Sequence, residues 1–260
     1  MIRLLVTNGC SCAVGKEMER PERDGWPVVL AESLGVELVN LARNGSSNRR
    51  ITRTLVEQLP TVIQQSGYAP EEILTLVSWS ETSRHEHYVG KKRSLRRFNV
   101  GDRFHDGWQR IGSWRVREGH RASIAFYDHL WNDDGQLASQ FLDWVMMDAL
   151  LRDTGVHPRY NFAFPIPREL PASAVAAAEQ LSQARTFGGI PPRPGTCFLE
   201  MPSEYERGPG GHSLEEGHRW FAGQLRAWLQ NDQTLQLPSR ETGDEPRNGK
   251  GAGASGDLVV

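Results

Sequence analysis

Three short apolar runs in this chain each stop at a cluster of small polar residues, and that repeat limits the fold more than any other feature. Residues 2–7 run into Asn8-Gly9-Cys10-Ser11, residues 36–41 into Asn44-Gly45-Ser46, and residues 73–77 into the polar stretch 78–86. Apolar runs of four to eight residues bounded by turn formers read as buried strands. The segments between them have helical spacing instead. One covers 27–34 and is closed by Gly35; another covers 51–65, with Ile51, Leu55, Leu59, Val62 and Ile63 on one side and an interruption or bend expected at Pro60. Further along, 137–151 and 215–229 carry helical spacing, the latter with Phe221, Leu225 and Leu229 on one side, and 160–164 reads as another strand. Strands alternating with crossover helices predict an α/β fold: a three-layer α/β/α sandwich around a mainly parallel sheet. In such sheets binding groups gather beyond the carboxyl ends of the strands, where these polar clusters lie.

The 260 residues, 38% of them hydrophobic, suffice for one sizeable core, and 30 Lys+Arg against 32 Asp+Glu leave a net charge of -2. That balance fits neither a wholesale polyanion binder nor an acidic disordered chain. No run approaches the roughly 20 apolar residues of a membrane span, and the first apolar run is too short for a signal sequence, so a cytoplasmic protein without a membrane partner is expected. Cys10, Cys12 and Cys197 form neither a disulfide framework nor a zinc pattern; no metal and no cofactor is expected. Residues 84–121 depart from the average, with 11 Lys/Arg against four Asp/Glu plus Trp108 and Trp114, and read as a basic insertion or lid. The Pro- and Gly-rich stretch 188–211 delivers the chain to His212. One domain is expected over 1–237, followed by a Gly-rich polar tail at 238–260 with too little apolar surface to order itself.

Four clusters carry candidate chemistry. In the first, Gly9 permits a tight turn that presents the Ser11 hydroxyl near a helix start, as a nucleophile or merely as a cap. Cys10 and Cys12 flank it; a thiolate is the stronger nucleophile, but a small cysteine beside a buried strand is also an ordinary packing residue. In the second, residues 40–48, the Gly45 N–H and the Asn48 side chain suit a developing oxyanion, and an Asn-Gly turn with a helix cap explains the same residues. In the third, Trp79, Glu81, Arg84 and Glu86 are candidate substrate contacts, joined by Asn8 and Asn44 from the other strand exits. The Arg84 fork suits a carboxylate or phosphate, or an internal salt bridge to Glu81 or Glu86. In the fourth, His212 precedes a helix at which Ser213 and Glu216 have capping-box spacing, and it is placed to act as general base toward Ser11. His218, inside that helix, reads as a packing histidine.

The order of these pieces resembles the SGNH hydrolase superfamily, the GDSL-like lipases and esterases, in a divergent member of the microbial and phage type. The likeness is carried by Gly9-Cys10-Ser11, the Gly45 loop, the 78–86 loop and His212-Ser213-Leu214-Glu215-Glu216-Gly217-His218. It implies that Ser11 is the nucleophile, that His212 is its base, and that the N–H groups of Ser11 and Gly45 form the oxyanion hole, with Ser80 at the position of the family's asparagine and Asn48 as a further donor. Four residues depart from the family pattern: Cys10 stands for an aspartate, Ser80 for the asparagine, Ser213 for a proline, and Pro209 for the acid three residues before the histidine. Glu204 or Glu206 is the expected orienting acid, unless a backbone carbonyl holds the ring or the pair works as a dyad.

The expected function is therefore a serine-dependent ester hydrolase or acyltransferase acting on a small polar acylated molecule through an acyl-enzyme. The alternatives are a noncatalytic ligand- or nucleic-acid-binding protein on the same fold, and a transferase using Cys10 or Cys12. Nucleic acid is not the expected partner, because the basic stretch is offset by the rest of the chain. The sequence sets no oligomeric state.

Overall fold

The computed structural model describes residues 1–90 and 107–238. Its centre is a parallel sheet in the order β2-β1-β3-β6, formed by β1 (Leu4–Asn8), β2 (Glu37–Asn40), β3 (Ile73–Trp79) and β6 (His157–Phe162). In-register parallel pairing, such as Thr7 with Asn40 and Leu76, brings the ends of β1, β2 and β3 to the same edge. β1 and β3 are buried along their whole length. Their side chains alternate between two cores, as period-two geometry requires. Leu4, Val6, Ile73, Val77 and Trp79 face one core, and Leu5, Leu74 and Leu76 face the other. The first core is closed by α4 (Asn48–Ser66) and the Asp133–Asp153 and Ala172–Glu179 helices, the second by α3 (Trp26–Leu34) and the Glu215–Gln230 helix. Helices on both faces complete the expected three-layer α/β/α sandwich. The outer side of β6 is covered by a parallel bridge from Thr186 to Tyr160, so that edge is not left open.

Several expectations change in detail. Pro60 does not break α4, which continues unbroken from Asn48 to Ser66. The carbonyl that Pro60 leaves unpaired belongs to Val56, and both residues are exposed, so the gap falls on the water side of the helix. The flanks of the 84–121 stretch pair as a small antiparallel sheet of β4 (His85–Tyr88) and β5 (Trp108–Ile111), while 91–106 lie outside the described residues. The expected tail lies, from 239 on, outside them too; Leu235 and Leu237 still pack on the second core. The capping box at Ser213 is not formed: the last helix has Leu214 as N-cap with no side-chain cap bond, and the Ser213 hydroxyl points to Met201 Sδ at 2.7 Å. Among the described residues, no helix is long and apolar enough to cross a membrane.

Candidate active site

The turn after β1 is built to hold one hydroxyl. Asn8 is wholly buried, and its amide donates to the Ile51 carbonyl at 2.9 Å while its Oδ1 accepts from the Gly9 N–H at 2.8 Å. A Cβ on Gly9 would lie 2.9 Å from Ala13 Cβ and 3.1 Å from Ser78 Cβ, so the backbone passes β3 at a distance that only glycine permits. The short helix α1 (Ser11–Val14) then begins with Ser11 itself, and Gly15 closes it in a left-handed conformation. Asn40, at the end of β2, donates to the Ala13 carbonyl at 2.9 Å and accepts from Thr7 Oγ1 at 3.0 Å, which fixes α1 against the sheet. Asn8 is thus a fastener of the turn rather than a substrate contact.

His212 reaches this turn from the opposite end of the chain. It sits on a tight reversal in which Leu214 N–H donates to the Glu206 carbonyl, Gly208 N–H to the His212 carbonyl, and Arg207 bridges Ser213. The reversal brings His212 Nε2 to 2.9 Å from Ser11 Oγ, across 201 positions of sequence. The other ring nitrogen, Nδ1, lies 3.2 Å from Glu17 Oε2. The ring N–H is not aimed along that line, so the contact is an electrostatic approach rather than an aligned hydrogen bond.

Glu17, and neither Glu204 nor Glu206, is the acid beside His212. Glu204 and Glu206 are exposed, and Glu206 contributes only its backbone carbonyl to the reversal. The Glu17 carboxylate is cradled by the reversal, accepting from the Gly210 N–H at 2.9 Å and the His212 N–H at 3.3 Å. Burial opposes its ionisation, yet those donors and the His212 ring hold its carboxyl below the ordinary value. A Cβ would fall 2.2 Å from Glu17 Oε1 at Gly210 and 2.6 Å from Oε2 at Gly208, which explains the glycines around Pro209. Glu17 is also the one non-glycine residue with positive φ among the described residues, at 76°. A left-handed backbone at a β-carbon residue is strained and needs surroundings that impose it. Here the carboxylate's three contacts do so.

The cysteines are packed away. Cys10 and Cys12 are at most 1% exposed and are free thiols. Their mutual hydrogen bond favours the thiolate at Cys10 and, together with burial, disfavours it at Cys12. His218 is likewise structural: Nδ1 accepts from the Trp26 N–H at 3.0 Å, and burial lowers its pKa to about 4, so the ring is neutral near pH 7.

Around the exit of β2, Gly45 has φ 72° within a turn closed by Ser46 N–H to the Arg43 carbonyl. Arg110 and Trp114 from the basic stretch cover it: a Cβ there would lie 2.6 Å from Arg110 Nη1 and 3.4 Å from the Trp114 ring, and Arg110 donates to the Asn44 carbonyl at 2.8 Å. The Asn44 side chain is exposed.

The third loop is engaged with its own structure. The Asn48 amide donates to the Ser80 carbonyl at 3.0 Å, and its Oδ1 accepts from the Ser80 N–H at 2.7 Å, so Asn48 clamps the end of β3 instead of pointing at an oxyanion. Trp79 is wholly buried, tilted on Trp144 and stacked on Tyr160, and so belongs to the core and not to a substrate surface. Glu86 is 3% exposed and bound at both oxygens by Arg53, at 2.9 and 3.1 Å, which ties β4 to α4. Glu81 and Arg84 pair with each other at 3.4 Å, and the Arg84 guanidinium lies over the Trp114 and Phe164 rings. Among the described residues, no group of three His, Cys, Asp or Glu side chains is placed to hold a metal.

Fold and site together define an α/β/α protein with a Ser-His-Glu cluster at the carboxyl edge of a parallel sheet. Residues 12–243 match the family described as "Family of unknown function (DUF6071)", and the chain belongs to it. No curated protein matches it in sequence. Solved structures with similar shape include that of TesA, at 13% identity over 88% of this chain and 98% of that one, with a TM-score of 0.44. A member of the lipolytic protein G-D-S-L family from Veillonella parvula DSM 2008 gives 11%, 88%, 99% and 0.47 for the same measures. The lipase Lip_vut3 from a goat rumen metagenome gives 14%, 87%, 97% and 0.47.

Proposed function

We propose that this protein is a serine-dependent ester hydrolase or acyltransferase that acts on a small polar acylated substrate through an acyl-enzyme. The observation that carries the reading is the contact of Ser11 Oγ with His212 Nε2 at 2.9 Å, with the Glu17 carboxylate at the far side of the ring. A nucleophile within hydrogen-bond reach of a base, itself oriented by a third group, is the geometry such catalysis requires.

In the first half-reaction, His212 Nε2 takes the Ser11 proton as Oγ attacks the substrate carbonyl carbon. The carbonyl oxygen becomes an oxyanion, which the N–H groups of Ser11 and Gly45 stabilise, the former unpaired by virtue of opening a helix. Collapse expels the alcohol, which leaves with the proton from His212, and Ser11 retains the acyl group. Water or a second alcohol then attacks the acyl carbon while His212 takes its proton. Collapse releases the acid or the new ester and restores the Ser11 hydroxyl. Throughout, the Glu17 carboxylate, 3.2 Å from Nδ1, offsets the charge of the imidazolium. The buried thiols of Cys10 and Cys12 favour serine over a cysteine-based reaction, because neither is open to a substrate.

The test is covalent. A fluorophosphonate probe is expected to add to Ser11, seen as a mass shift on the peptide that contains it, and Ser11→Ala is expected to abolish both labelling and hydrolysis of p-nitrophenyl acetate. Hydrolysis by the Ser11→Ala chain at the wild-type rate would overturn the mechanism.

A further inference from the structure

The Gly45 loop is held by a side chain from a distant part of the chain. Residues 43–46 form a β-turn, closed by the Ser46 N–H donating to the Arg43 carbonyl at 3.2 Å, in which Gly45 stands third with φ 72° and Asn44 lies outside the left-handed region. That is the signature of a type II turn, which calls for glycine at its third position. The turn is moored beside Ser11, because the Arg43 N–H donates to the Gly9 carbonyl at 3.3 Å. Its central peptide is the one that joins Asn44 to Gly45. In a trans peptide the carbonyl and the N–H point to opposite sides, so whatever holds one aims the other. Arg110 Nη1 donates to the Asn44 carbonyl at 2.8 Å. The Gly45 N–H, on the far side of the same peptide, donates to no group among the described residues.

Turns of types I and II differ by rotation of that central peptide through about 180°. Glycine accommodates both, since it takes either sign of φ about as readily. Only one orientation suits an oxyanion: rotation would bring the Asn44 carbonyl to the side where the Gly45 N–H now points and set one oxygen against another. The bond from Ser46 to Arg43 is compatible with either type, so it does not make the choice. Arg110 does. Its guanidinium holds the carbonyl by a charge-assisted bond, stronger than a neutral one, and by polarising the peptide it makes the opposite N–H a better donor. The space that a β-carbon at Gly45 would need is filled by Nη1 at 2.6 Å and by the Trp114 ring at 3.4 Å, and that ring also lies against Gly112 and beneath the Arg84 guanidinium. Arg110 reaches the loop from β5, where it pairs across the ladder with Glu86, 66 positions along the chain from Asn44. We infer that Arg110 is a positioning residue that sets the Asn44–Gly45 peptide for oxyanion stabilisation, an inference that rests on the serine mechanism proposed for Ser11 and His212 with Gly45 as a donor. It gives part of the basic stretch 84–121 a share in the chemistry without any contact to the reacting atoms.

The experiment follows p-nitrophenyl acetate hydrolysis and thermal melting of the full chain. Arg110→Ala is expected to lower kcat about ten- to hundredfold, less than the roughly 10²–10³ lost when an oxyanion donor is removed outright, with KM within about twofold of wild type. Arg110→Met keeps the stem but not the donor, and is expected to show the same loss of kcat with a melting temperature within a few degrees of wild type. Millimolar guanidinium ion is expected to raise kcat of Arg110→Ala at least about threefold and to leave the wild type unchanged, a response that a merely structural residue would not give. The inference is overturned if Arg110→Met turns over at the wild-type kcat, if KM rises in either variant while kcat holds, or if guanidinium restores nothing to Arg110→Ala. A wild type without Ser11-dependent turnover overturns it together with the mechanism on which it rests. A fast Arg110→Met chain beside an inactive Ser11→Ala chain overturns this inference alone.

Discussion

The exits of β1 and β3 look alike in composition and behave differently. Both end buried strands in small and polar residues. At the β1 exit the turn is fastened by Asn8 and Asn40 from beneath, which leaves the Ser11 hydroxyl to meet His212. At the β3 exit the polar side chains are taken up by one another and by α4: Asn48 with Ser80, Glu81 with Arg84, Glu86 with Arg53. A polar cluster at a strand end therefore marks a position, not a role. The role follows from whether its partners are local or come from a distant part of the chain.

Substitutions at the two exits are expected to have different consequences. The largest effect is expected at Ser11→Ala, which should lower kcat by about 10⁴-fold or more while the melting temperature stays within a few degrees of wild type; a stopped assay and a thermal melt decide it. Glu17→Gln should lower kcat by about 10²–10⁴-fold with KM little changed. Because the Glu17 carboxyl is held below its ordinary value of 4.5, its contribution is full above that pH and is lost only as the pH falls through the lowered folded-state value. A pH–kcat profile in which the wild type loses activity at the same pH as Glu17→Gln would remove Glu17 from the mechanism.

On the β3 side the expected cost is stability. Arg53→Met leaves the Glu86 carboxylate buried without its fork and should cost about 3 kcal/mol in denaturant unfolding, with kcat/KM within about threefold of wild type. Asn48→Ala removes both bonds to the Ser80 backbone and should cost about 2 kcal/mol by the same measurement. The smallest effect is expected from Glu17→Gly, which relieves the positive φ and should raise the melting temperature by roughly 2–4 °C even as activity falls. A fall instead would show that the cradle around the carboxylate contributes more than the strain subtracts.

Much of the architecture was legible because burial leaves a periodic trace. Leu4, Val6, Leu74 and Val77 fill strands whose neighbours face the opposite layer, and Phe221, Leu225 and Leu229 recur at helical spacing. The β4–β5 pair was not legible, since His85 and Ile111 pair across 26 positions and neither segment alternates clearly. At the site, Ser11 and His212 stood out by order along the chain. Glu17 did not, because an acid on an exposed-looking turn carries no mark until the Gly208–Gly211 reversal is folded over it. Trp79 and Glu86 misled for the converse reason, as an aromatic ring and a carboxylate beside a polar loop read as surface until the layer above them is in place.

The alternation of strands and helices, the parallel sheet that follows from it, and the edge at which Ser11 stands are all written in the order of the amino acids. Those features are local: they rest on side-chain period, glycine turns and short-range burial. Which acid faces His212, which polar groups are spent on the fold, and which, like the Gln140 amide, are buried without a partner among the described residues is settled by how the folded layers pack. Such choices depend on distances between residues far apart in the chain, and an amino-acid pattern does not carry them.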